Sequence, residues 1–295
     1  MNPPPGAVIS YYLKQELKPT DAQKAQHQTP VSITITGAKG DTIYTGYGPS
    51  RKGINRFTWR AHYRGPTELA FAPKNPELEE LGIESLGPMV LPGTYTVTLR
   101  AAGKTLSQPL EVRADPRIPF DTAAARAQLD AGIALRDQIS TMNEMLNSLH
   151  SMRTQIGNLD SALAAAAPAG TPRDTTVQHA ARDLDGKLKA LMDTIYNPDV
   201  QRGVIEDDVH HLERFYDQLT SMGFAIFFPY DQAPNELVRA ELADLQSQLG
   251  SYVSRYNTLV RTDVAAFDKV AQAHNAPVLV AGEVRGGKGA GAGRQ

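Results

Sequence analysis

The spacing of apolar residues changes once along this chain. Up to Val112 they recur at every second position, and from Asp121 onward at every third and fourth. A strand sends alternate side chains to opposite faces, and a helix gathers every third or fourth onto one stripe. The chain is therefore expected to fold as strands first and helices second. The join, "RADPRIPFD" (Arg113 to Asp121), carries Pro116 and Pro119, which stop both kinds of element. Asp121 or Thr122 can cap the helix that follows.

In the first part, "VSITITG" alternates Val31, Ile33 and Ile35 with Ser32, Thr34 and Thr36, and Gly37 to Gly40 offers a turn. "DTIYTGY" follows with Ile43 at its apolar centre. "INRFTWRAHY" sets Phe57, Trp59, Ala61 and Tyr63 on one face, with Arg56, Thr58, Arg60 and His62 on the other. "PGTYTVTLRAAGKTLSQPLEV" (Pro92 to Val112) reads as a hairpin, with Tyr95, Val97 and Leu99 together and a turn at Ala102-Gly103-Lys104. Alternation with one wet face is the signature of antiparallel sheets. The expectation for residues 1–114 is an immunoglobulin- or fibronectin-like β-sandwich. From Thr67 to Pro88 the alternation fails, and "APKNPELEELGIESLGP" reads as a long excursion with room for a helical turn at Pro76 to Leu81.

Residues 115–120 read as a linker, and residues 121–280 as an antiparallel bundle of about four helices. The first helix carries the stripe Leu135, Ile139, Met142, Leu146, Leu149, Met152 and Ile156. "AAAAPAGTPRDT" then interrupts it. The second runs from about Thr175 to Tyr196 with Val177, Leu184, Leu188, Leu191 and Ile195 inward. The third is "EDDVHHLERFYDQLTSMG", ending at Gly223. The fourth keeps a seven-residue spacing through Leu242, Leu245, Leu249, Tyr252, Tyr256, Leu259, Ala266 and Val270, with Asp263 at one core-type position. Residues 281–295 form a Gly-rich tail; "GEVRGGKGAGAGRQ" is expected to be disordered and to hold no core residue.

The chain has 295 residues, which suits two domains. A net charge of −2 argues against general binding to nucleic acid, which needs a basic surface to release counterions from phosphate. With no cysteine, thiolate chemistry and Cys-based zinc sites are excluded. No apolar run approaches the roughly 20 residues that span a bilayer. The start, "MNPPPGAVISYYLKQEL", does not read as a signal peptide.

Several clusters carry chemistry that has to be weighed. Glu206, Asp207, Asp208, His210 and His211 form the densest polar group, read as a metal or acid/base site or, more simply, as a solvated helix start. Adjacent histidines diverge by about 100° on a helix, which disfavours one shared metal. Glu77, Glu79, Glu80 and Glu84 are carboxylates without a partner motif. Tyr11, Tyr12, Trp59 and Tyr63 could form an aromatic platform for sugar, with Trp59 read as core. Adjacent tyrosines on a strand point opposite ways, so the outward one of Tyr11 and Tyr12 is the ligand candidate. "FAIFFPYDQAP" (Phe224 to Pro234) lies between two helices. Phe224, Phe227, Phe228 and Tyr230 either pack over the helices or form an exposed patch for a partner. No phosphate loop, catalytic residue, cofactor site or metal site is assigned.

Four stretches together resemble one family: "NPPPGAVISYYLK", "GINRFTWRAHYRGP", "GPMVLPGTYTVTLRAAGKTLSQPLEVRADPRI" and "AELADLQSQLGSYVSRYNTLVRTDVAAF". They are similar to the C-terminal region of large bacterial exported proteins that carry a sortilin-like propeller of BNR (Asp-box) repeats and a "glycosyl hydrolase" label. The resemblance implies that the propeller ends just before the Asn-Pro-Pro segment. This sequence has no Asp-box, so the propeller's own sites have no counterpart here. The implied function is a non-catalytic accessory or interaction module whose protein partner is the BNR propeller. The alternative is a carbohydrate-binding module taking a glycan. An enzyme would need a cleft with convergent titratable groups. The implied location is periplasmic or extracellular.

Overall fold

The computed structural model describes residues 6–72, 86–166, 175–198, 212–227 and 232–285. Strands come first: β1 (Ala7–Leu13), β2 (Ser32–Thr36), β3 (Thr42–Tyr47), β4 (Gly53–Trp59), β5 (His62–Arg64), β6 (Leu86–Met89), β7 (Gly93–Ala101) and β8 (Lys104–Val112), with a short helix α1 (Asp21–Ala25) after β1. All pairings are antiparallel. One sheet has the order β3-β2-β7-β8, and β1–β4 and β5–β6 form two-stranded pairs. Ile33, Ile35, Ile43, Tyr95 and Val97 from the four-stranded sheet meet Trp59 of β4 in one apolar cluster. The Trp59 ring lies edge-on to Tyr95 at 5.7 Å, and its indole N–H donates to the His62 carbonyl at 2.9 Å.

Ala101 faces Lys104 across the β7–β8 hairpin, leaving Ala102 and Gly103 as the turn, both at positive φ (49° and 73°). That is the mirror-image turn whose twist matches a two-residue hairpin. Its closing pair is hydrogen-bonded, so residues 105, 107, 109 and 111 turn their backbone groups away from β7. Pro109 thus sits where β7 requires no donor, and it removes one from the free edge.

"INRFTWRAHY" is not one strand. Ala61 stands at φ +60° and divides it into β4 and β5. The alternation slips there, and His62 is buried rather than facing water with Arg60. Its Nδ1–H donates to the Gly87 carbonyl at 2.7 Å, since a carbonyl can only accept. Burial pushes the His62 pKa down, the Gly87 bond pulls it partly back, and the Arg60 charge presses it lower.

The helices follow: α2 (Thr122–Ala166), α3 (Thr176–Ile195), α4 (Phe215–Phe227), α5 (Glu236–Leu259), a π-helical turn (Val260–Val264) and α6 (Ala265–Ala273). Asp121 caps α2, its carboxylate accepting from the amides of Ala123 (2.8 Å) and Ala124 (3.1 Å). The stripe from Leu135 to Ile156 is buried as its spacing predicts, as are Val177, Leu184, Leu188, Leu191 and Ile195 of α3. Both join Phe215, Leu219, Leu245, Leu249 and Tyr256 in a single cluster.

Three helical expectations are corrected. α4 does not stop at Gly223 but continues to Phe227, because Ile226 and Phe227 bury against the cluster. That burial outweighs the roughly 1 kcal/mol a helical glycine costs. The seven-residue spacing also fails beyond Leu259. The π turn inserts one extra residue, so the core line moves from 263, 266 and 270 to Val264, Phe267 and Ala271, and Ala266 is exposed. Asp263, moved off the core line, pairs with Lys187 of α3 and accepts from the Thr262 hydroxyl at 2.7 Å. Finally, the C-terminal stretch has a core residue: Val284 is buried in the helical cluster. Residues beyond 285 lie outside those described.

A strap joins the two halves. After β5, residues 67–71 run along α2. Asn143 donates to the Thr67 carbonyl (2.7 Å), and Ser140 accepts from the Thr67 amide (3.1 Å). Asn147 accepts from the Ala70 amide (2.8 Å) and donates to the Glu68 carbonyl (2.9 Å). Phe71 stacks on His150, with ring centres 4.4 Å apart. Serine, two asparagines and histidine at positions 140, 143, 147 and 150 form one helix stripe that holds the strap, the first two kinds through its backbone groups and His150 through the Phe71 ring.

Candidate interaction surface

β1 and β4 pair in full register, Ala7 with Trp59 through to Leu13 with Gly53. Odd-numbered residues of both strands turn inward: Ile9, Tyr11 and Phe57 pack on the strand cluster beside Trp59. The Tyr11 hydroxyl donates to the Pro49 carbonyl, and burial pushes its pKa up to about 12. It is a packed, neutral phenol.

The even-numbered residues form the outer face. Tyr12 lies directly opposite Ile54, and they are 65% and 75% exposed; Val8, on the same face, is 46% exposed. Opposite residues in an antiparallel pair hold their Cβ atoms about 5 Å apart, so Tyr12 and Ile54 make one continuous apolar ridge. Arg56, facing Ser10, sits exposed between that ridge and Val8. A large ring, a branched aliphatic side chain and a guanidinium on one flat face suit docking of a macromolecule. Tyr12 is thus the outward member of the tyrosine pair. Ile54 was missed, although an isoleucine in register with Arg56 and Thr58 was a visible departure from a wet face.

A second feature is a groove of about 570 Å³ where the sheets meet the linker, lined by Met89, Val90, Pro92, Val112 and residues 113–117. Its charges are neutralised locally. Arg117 donates to both Asp115 oxygens and holds that carboxyl below its usual range, and Arg113, donating to one Glu111 oxygen at 2.6 Å, lowers the Glu111 pKa. With each carboxylate engaged by its own arginine, the groove offers apolar contact rather than proton transfer.

Of the other candidates, Phe227 is buried in the helical cluster, which is the packing alternative and removes Phe227 from an exposed patch. The side chains of Phe224, Phe228 and Tyr230 lie outside the described residues, as do Glu77, Glu79, Glu80, Glu84, Glu206, Asp207, Asp208, His210 and His211. Trp59 is core, as expected, and Tyr63 is half-buried. Among the described residues no group of three His, Asp or Glu side chains could hold a metal ion, and no helix is long and apolar enough to cross a membrane.

No family model matches the chain, and no curated protein or solved structure is significantly similar to it.

Proposed function

We propose that this chain is a non-catalytic interaction module in which an immunoglobulin- or fibronectin-like sandwich presents a docking face and an antiparallel helical bundle supports it. The sandwich reading is supported by the order β3-β2-β7-β8, which matches a sheet of strands C′, C, F and G. It is also supported by Tyr95 at the start of β7, whose hydroxyl returns to the Leu91 carbonyl at 2.6 Å. That contact has the form of the tyrosine corner found in such sandwiches.

The functional reading rests on one observation: Tyr12 and Ile54 stand opposite one another, exposed, on a face that has inward packing only on its other side. Burying such side chains releases roughly 1.5–3 kcal/mol each, enough for two residues to decide a micromolar contact. The partner is a protein, the BNR propeller implied by the sequence resemblance, and the setting is outside the cytoplasm by the same resemblance. Titration of the chain with the propeller domain of a related protein should give a saturable isotherm in the micromolar range. No heat or mobility change at several hundred micromolar would contradict the reading. Glycan-array binding lost with Tyr12→Ser would favour a carbohydrate-binding module instead.

A further inference from the structure

The last described segment, residues 276–285, is held to the helices as a bound peptide would be. α6 ends in a turn with Asn275 at φ +55°, and the Ala276 amide returns to the Ala271 carbonyl at 2.8 Å. This is a Schellman ending, which sends the chain back along the helices. Gln155 of α2 accepts from the Val280 amide (2.9 Å) and donates to the Val280 carbonyl (3.3 Å). Asn257 of α5 does the same for Val284, at 2.9 Å in each direction. The Leu279 amide donates to Asp268 of α6 (2.9 Å). The Tyr256 hydroxyl donates to the Gly282 carbonyl (2.7 Å) and, having one proton, takes that of Ser148 (2.7 Å). Leu279 and Val284 enter the helical cluster, while Val278 and Val280 point away.

These contacts read backbone and two apolar anchors five residues apart, the pattern of a peptide groove. The partners lie on α2, α5, α6 and the π turn, where Arg261 meets Glu283 at 3.4 Å, and none on the segment itself. A groove of this kind accepts the same ten residues from any copy of the chain. We infer that the seam between α2 and α5 is a peptide-binding groove whose trans occupant is residues 276–285 of a second copy, exchanged about the Asn275 turn. This goes beyond the docking role of β1 and β4 and does not depend on it. At micromolar protein the cis segment wins, because its effective concentration is about millimolar.

The test uses complementary full-length variants. One, Leu279→Asp with Val284→Asp, keeps the groove and loses the anchors. The other, Gln155→Ala with Asn257→Ala, keeps the anchors and weakens the groove. Each alone should sediment as a monomer at 50 µM, as should the unaltered chain. Their mixture should form a 1:1 complex, and a mixture that stays monomeric with both helical by circular dichroism overturns the inference. A labelled APVLVAGEVR peptide supplies a second readout. It should bind the anchor variant, or the milder Val284→Asp chain, about 100-fold more tightly than the unaltered chain. Equal binding, or none to either, would likewise overturn it.

Discussion

The strand half and the helical half arrange their apolar surface differently. The helices draw in even the polypeptide that follows them: Leu279 and Val284 close over the cluster built by α2 to α6. The strands bury Trp59, Ile33 and Ile35 and yet leave Tyr12, Ile54 and Val8 together on one outward face. A fold able to recruit a tail to cover its helices has no such cover over β1 and β4 among the described residues. The helical half also exposes Leu212, Leu237, Val278 and Val280, but of the exposed apolar residues described only Tyr12 and Ile54 stand opposite one another in a strand register, and that paired apolar surface marks where contact with a second molecule is expected.

That contrast can be pressed hardest at the helical core. Leu188, fully buried on α3, should cost about 2–5 kcal/mol of unfolding free energy as Leu188→Ala, measured by urea denaturation. A loss below 1 kcal/mol would mean that the helical interior is looser than described. A smaller effect is expected at Tyr256→Phe, which leaves the Gly282 carbonyl and Ser148 without their partner. The cost is about 1–3 kcal/mol, with faster amide exchange at residues 276–285. Unchanged exchange there would detach the tail from the account.

The strand half has a pH signature. The His62 pKa lies below its ordinary value of 6.5. A depressed pKa means that the unfolded chain takes up the proton first as acidity rises. Stability is therefore full above pH 6.5, and falls as the pH drops from 6.5 towards the folded value. An NMR titration should show the His62 ring protonating below 6.5, while a midpoint above 6.5 would contradict its burial. The smallest stability effect belongs to the outer face: Tyr12→Ser and Ile54→Thr should each change unfolding free energy by no more than about 0.5 kcal/mol.

What could be read from the residues beforehand follows from how regular each element is. The stripe from Leu135 to Ile156 and the alternation of Tyr95, Val97 and Leu99 are unbroken periods, and both turn out as spaced. Reading failed where one residue shifts the phase. Ala61 flips the facing of His62, and the π turn moves the core line from Asp263 to Val264. Neither shift has a local marker, because alanine is not a residue that favours positive φ and the letters from Val260 to Val264 read as ordinary helix. The strap at 67–71 and the tail at 276–285 were also hidden. Their backbones are read by Asn143, Asn147, Gln155 and Asn257, polar residues that look like ordinary helix surface. For the outer face, Tyr12 was identified by adjacency, and Ile54 was available from register alone.

The most direct measurement is a calorimetric titration of the propeller domain proposed as partner with the unaltered chain and with the double variant Tyr12→Ser, Ile54→Thr. The account predicts at least a tenfold weaker affinity for the variant, at a melting temperature within about 2 °C of the parent. Equal affinity for the two chains would show that contact is made elsewhere, and that the exposed ridge on β1 and β4 is not the docking face.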